Sequence, residues 1–196
     1  MSKKDRLLRT VNTIGFALIL GVSLTACGAG SEKWKEEVQL SDGKIIVVER
    51  ELVLESGGDE WAANRSGSKP KEYRIQFADP SDAKKMIEWH SKKKDSSTWP
   101  EVPLILNVEA DKFVVFSSVF NAVGCHIYSK YLYRNGAWDE EKLAATFEQR
   151  TTNLYLKLGI DMPSFVDLKQ KNAINADGRF KKAYKQVGPN LKVCSG

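Results

Sequence analysis

Two short turn signals, Asp42-Gly43 and Asn135-Gly136, do most to limit the folds open to this chain. Each stands between runs rich in β-branched and aromatic residues. Asp-Gly so placed, within the turn Ser41–Lys44, is among the better short-range hairpin cues, and Asn-Gly is the signature of a type I′ turn. Around the first turn, residues 37–40 alternate and residues 45–54 form a β-branched run. The interruption Glu49-Arg50-Glu51 predicts a bulge, or a passage from two-sided to one-sided burial. Residues 73–77 alternate strictly and read as a strand. Residues 83–90 fit either a short helix or a strand with Ile87 and Trp89 inward, and the neighbouring strands favour the second. Residues 104–108 and 113–120 flank Asp111-Lys112 as a further hairpin, and residues 126–134 lead into Asn135-Gly136. Four strands are thus expected before Pro100 and four after Pro103, with no repeated motif to suggest duplication.

After Trp138 the period changes. Leu143, Phe147, Leu154 and Leu158 recur at helical spacing, with Glu140 and Glu141 at the start and Gly159 beyond the end. This predicts a main helix over residues 140–158. Asp161-Met162-Pro163 predicts a second, shorter helix to about Asn172, and residues 179–187 are either helix or edge strand. The expected fold is mainly β, an antiparallel meander of about eight strands with one or two C-terminal helices, α+β by strict count.

The N-terminus follows a different logic. Lys3, Lys4, Arg6 and Arg9 outweigh Asp5, and residues 10–26 are uncharged and largely apolar. That layout reads as a secretory leader rather than part of the fold. Asn12, Gly15 and Gly21 weaken it as a permanent span, which needs roughly 17–25 apolar residues. The run ends in Leu24-Thr25-Ala26-Cys27, which resembles the lipobox of bacterial lipoprotein precursors. The resemblance covers the first 28 residues. It implies cleavage before Cys27, diacylglycerol on its sulfur and acylation of its amine. Gly28, where an Asp tends to retain such proteins in the inner membrane, implies the outer membrane, facing the periplasm. The remainder resembles small uncharacterised proteobacterial lipoproteins, a likeness that implies no activity. One acyl chain anchors only marginally, at about 0.8 kcal/mol per buried methylene, so several on one cysteine are needed for firm attachment. The expected organisation is a signal peptide over 1–26, a lipidated tether over 27–35 and a single domain over 36–196.

Charge then excludes one class of function. The chain has 30 basic and 25 acidic residues, and the leader holds four and one of them. The mature chain is therefore nearly balanced, and nucleic acid is not an expected partner. Cys125 and Cys194 remain in an oxidising compartment. A bridge between them would contribute about 2–4 kcal/mol; two separate thiols are the alternative, and the bridge is favoured.

No catalytic pattern emerges. Cys125 and His126 are adjacent on a strand and point to opposite faces, and a Cys–His nucleophile also needs an orienting group. Two histidines and two scattered cysteines lack zinc-ligand spacing. There is no phosphate loop and no nucleophile elbow. Catalytic, metal and cofactor sites are all expected to be absent. The polar stretch 56–71 is long for a loop, and its Trp61, Asn64 and Arg65 are residue types that anchor interfaces or stack on sugars. Trp61 plugging a sheet edge is the competing reading. Between Lys169 and Lys192 lie seven basic residues and only Asp177 as an acid, a solvated face or a surface for anionic lipid. The functional expectation is a non-enzymatic envelope accessory protein that meets a protein partner. The alternative is a module binding cell-wall glycan or another small envelope ligand.

Overall fold

The structure is a computed structural model and describes residues 30–56, 67–95, 97–120, 125–156, 163–177 and 182–190. Eight strands follow in order: β1 (Ser31–Gln39), β2 (Ile45–Ser56), β3 (Ser68–Asp79), β4 (Asp82–His90), β5 (Val102–Glu109), β6 (Lys112–Phe120), β7 (His126–Arg134) and β8 (Ala137–Glu141). They form two antiparallel meanders, β1-β2-β3-β4 and β5-β6-β7-β8. The chain closes with β9 (Arg150–Thr151), β10 (Phe165–Val166), α1 (Leu168–Asn175), α2 (Lys182–Lys185) and β11 (Gln186–Val187). β10 adds in parallel to the β1 edge of the first sheet. The chain is mainly β with a C-terminal helix, as its turn and alternation pattern predicts.

The two sheets pack face to face. Trp34, Val48, Leu52, Ile75, Phe77, Ile87 and Trp89 of the first share one buried cluster with Leu106, Val115, Tyr131 and Trp138 of the second. Phe77 meets Phe113 edge-on with centroids 4.8 Å apart, and Trp89 meets Tyr131 at 5.7 Å. Full burial of a side chain of this size contributes about 1.5–3 kcal/mol. The second sheet is covered on both faces, so Leu104, Ile105 and Leu106 are buried in succession, as are Val114, Val115 and Phe116. Its outer face carries a second cluster of Leu104, Val114, Phe116 and Leu132 against Leu156 and Val187, with Leu143 and Phe147 packed around it.

This covering explains where the helical expectation fails. No helix forms over residues 140–156: β8 runs through Glu141, the chain is then irregular, and β9 occupies Arg150–Thr151. Leu143, Phe147 and Leu154 do reach apolar surroundings, but from an irregular chain draped over the second sheet. Asn153 then replaces a neighbouring strand at the β5 edge. Its Oδ1 accepts from Leu106 N at 3.0 Å, and its Nδ2 donates to Leu106 O at 2.8 Å. An edge so occupied is closed to other chains. The second helix also starts later than expected. Its N-cap is Asp167, which accepts from Gln170 N at 2.7 Å, and Phe165 and Val166 pair with β1.

Three further differences are local. β1 begins at Ser31, so the expected tether over 27–35 gives way to strand after Gly30. Trp34 on this strand is buried, at 2% exposure. Glu49-Arg50-Glu51 carries no bulge. Alternation continues through it with Arg50 inward, and the register shift falls at Val53/Leu54. Residues 83–90 are strand with Ile87 and Trp89 buried. The tail divides between helix in α2 and strand in β11.

Candidate functional site

The meanders give the molecule two unlike ends. The turns β1–β2, β3–β4, β5–β6 and β7–β8 are short and gather at one end. Ser41 N and Oγ reach Asn107 Oδ1 and Val108 O at 2.6 and 2.9 Å, tying a first-sheet turn to the second sheet there. At the other end lie Gly30, the ends of β2, β4 and β6, the starts of β3, β5 and β7, and the long β4–β5 connection. Longer loops held by a rigid scaffold are where binding residues concentrate.

At this loop end, Asp95, Trp99, Pro100, Val102, Ser118, Phe120 and Tyr184 line a cleft of about 240 Å³. The β4–β5 connection supplies Asp95 and Trp99. Asp95 Oδ1 accepts from Ser97 N and Trp99 N, both at 2.8 Å, which folds the loop into an Asx turn and sets Trp99 in place. The β6–β7 pair supplies Phe120 and His126, which face each other across the ladder. The His126 ring lies 5.2 Å from Phe120 and 4.9 Å from Tyr184, making a continuous aromatic wall. Burial, and then the Asp95 charge, push the Tyr184 hydroxyl above its ordinary range, so it stays a neutral donor.

Ser118 Oγ lies 2.9 Å from His126 Nδ1. The pair has the elements of a nucleophile and a base, but Ser118 is 2% exposed, and Asp95 Oδ1 is engaged by its own loop. The geometry is that of a cross-strand hydrogen bond fixing the ring beside the cleft. Among the described residues no group of three or more His, Cys, Asp or Glu is placed to hold a metal ion.

A second surface is the outer face of the first sheet. Toward the loop end it is a charged ladder: Lys33 pairs with Glu51 at 3.2 Å, Lys35 with Glu49 at 2.8 Å, and Arg74 with Glu51 at 3.4 Å. Burial opposes ionisation of Glu51, yet hydrogen bonds from Ser31 and Lys33 and the charges of Lys33 and Arg74 hold its pKa below the usual range. Toward the hairpin end the ladder gives way to Ile45, Val47 and Met86, 54%, 49% and 50% exposed. Val47 and Ala78 stand two residues beyond the Glu49–Gln76 pair, and Ala78 pairs with Met86.

Of the residues singled out from sequence, Trp61, Asn64, Arg65, Cys27 and Cys194 lie outside the described residues. The flanks of the loop that holds the first three, Ser56 and Ser68, pair at the loop end. Cys125 stands at the foot of β7 beside His126. Trp99, Phe120 and Tyr184 were not expected as a group. The signal for them was the reversal of direction at every turn, which in a meander sends every second connection to the same end. Comparison with protein-family models, curated proteins and solved structures gives no match.

Proposed function

We propose that this chain is a lipid-anchored accessory protein of the cell envelope. It is exported, acylated at Cys27 and held on the outer membrane facing the periplasm. There it presents the outer face of its first sheet to a protein partner, without catalysing a reaction and without a cofactor. The observation that carries the partner reading is the cluster of Ile45, Val47 and Met86. Half of each is exposed beside a charged ladder, and apolar groups rimmed by charge are typical of interaction surfaces. The cluster sits at the hairpin end, away from the end where Gly30 joins the domain, so the anchor leaves it accessible.

A Cys125–Cys194 bridge belongs to the same reading. Asn190 supports it: its Oδ1 accepts from Tyr128 N at 2.7 Å and its Nδ2 donates to Tyr128 O at 3.1 Å. Tyr128 is three residues after Cys125, and Asn190 is four before Cys194, so the tail is already held along β7 near its intended partner.

The test is cross-linking in intact cells followed by mass spectrometry of what is recovered with the protein. One dominant protein partner is expected, lost in both Val47→Asp and Cys27→Ser. Recovery of wall fragments alone overturns the reading in favour of glycan binding, for which Trp61→Ala and Arg65→Ala are the discriminating variants.

A further inference from the structure

We propose that the loop end of the domain lies on the anionic bilayer that holds Cys27, with Lys71 and Lys94 toward its surface, and that the cleft of Trp99, Phe120 and Tyr184, whose one charged lining group is Asp95, receives the headgroup region of a phospholipid. The inference rests on acylation of Cys27. Two residues separate Cys27 from Gly30, and three chain steps span at most about 11 Å. Gly30 is already part of the scaffold, since its carbonyl accepts from Leu54 N at 2.9 Å. The anchor therefore leaves the loop end no room to stand clear of the membrane.

The cleft belongs to that end by a short chain of contacts. Leu54 and Glu55 pair with Pro70 and Lys69 of β3. Lys69 Nζ donates to Thr98 Oγ1 at 3.1 Å, next to Trp99. Gly30 and Lys69 are thus separated by two strand spacings, about 10 Å, and Trp99 lies one lysine side chain further. The residue types fit the setting. Tryptophan and tyrosine settle where an apolar body and a polar tip are both accommodated, at the level of the lipid headgroups. Phe120, at the rim, is 38% exposed. Lys71 and Lys94 are exposed at the same end and pair with no carboxylate among the described residues. Such cations are drawn to an anionic leaflet. The apolar cluster of Ile45, Val47 and Met86 is at the opposite end and stays in water.

The test uses full-length protein recovered from membranes and reconstituted in phosphatidylethanolamine–phosphatidylglycerol vesicles, with ordinary or brominated acyl chains. Trp34, Trp89 and Trp138 are buried, so a Trp61→Phe background leaves Trp99 as the reporter among the described tryptophans. Brominated vesicles are expected to diminish its emission, and Trp61→Phe/Trp99→Phe is expected to remove that loss. Replacing phosphatidylglycerol by phosphatidylcholine, or introducing Lys71→Glu and Lys94→Glu, is expected to weaken the quenching. Equal emission in both vesicle types from a sample whose mass confirms acylated Cys27 overturns the inference and leaves the anchor reading intact. A sample without acyl chains overturns both. A change in Trp99 emission with soluble wall muropeptides, without quenching by brominated lipid, also overturns it and assigns the cleft to glycan.

Discussion

Arg50 and Glu36, on the inward faces of neighbouring strands, form an ion pair of 2.6 Å with both side chains at 1% exposure or less. The pair is the centre of a buried polar junction. Glu36 Oε2 accepts from Tyr155 N at 2.8 Å and pairs with Lys171 Nζ at 3.4 Å. Lys171 also donates to the carbonyl of Glu37, and Arg50 lies over the Trp34 ring. One carboxylate thereby fastens the first sheet to both the draped segment and α1.

Removing that carboxylate leaves two cations in a dry interior. Glu36→Ala is expected to cost about 3–5 kcal/mol, since breaking a buried pair strands its partner. Urea unfolding measures it. Replacing Glu36, Arg50 and Lys171 together by methionine is expected to recover most of the loss. A single-variant cost near zero would show that the junction is not dry.

The acid limb of stability is expected to depend on Asp79. Hydrogen bonds from the Ser81 hydroxyl and backbone, with Lys85 nearby, hold its carboxyl below the usual range despite burial. A lowered folded pKa means a contribution complete above about pH 4, the unfolded value, and lost as pH falls through the lower folded one. Asp79→Asn should flatten unfolding free energy against pH in that window and leave the neutral region parallel to the parent. An unchanged acid limb would contradict this.

Two turns with positive φ predict effects of opposite sign. Gly136 sits at φ 84 after Asn135 at 50, whereas the β5–β6 turn places Ala110 at 46 and Asp111 at 60. A left-handed conformation costs a side-chain-bearing residue about 1–2 kcal/mol. Gly136→Ala should therefore lower the melting temperature and Ala110→Gly should raise it. The same direction for both would count against the turn assignments.

Peptide mapping without reduction is expected to recover the segments around Cys125 and Cys194 as one species. Cys125→Ser/Cys194→Ser should lose about 2–4 kcal/mol relative to the oxidised parent. Recovery of both segments with free thiols would remove the bridge.

The eight strands were legible from Asp42-Gly43 and Asn135-Gly136, from the alternation of residues 73–77, and from the β-branched and aromatic runs elsewhere. The first sheet's extent was not, because Lys33 and Lys35 face solvent on β1 and made a strand look like polar tether. The main helix misled for a related reason: Leu143, Phe147 and Leu154 satisfy burial from an irregular chain, and spacing cannot tell which neighbour buries them. Arg50 broke a hydrophobic run only until its partner Glu36 was placed. The cleft was hidden because its aromatics come from the β4–β5 connection, the end of β6 and α2, none of which carries a pattern alone.

Which end of the domain is anchored and which is presented to a partner turns on one atom, Cys27 Sγ. Intact mass spectrometry of protein recovered from the membrane fraction tests it directly. A chain running from Cys27 to Gly196 and carrying diacylglyceryl and N-acyl groups is predicted, with Cys27→Ser retaining residues 1–26. A wild-type chain that keeps residues 1–26, or begins beyond Cys27 without lipid, would contradict the account.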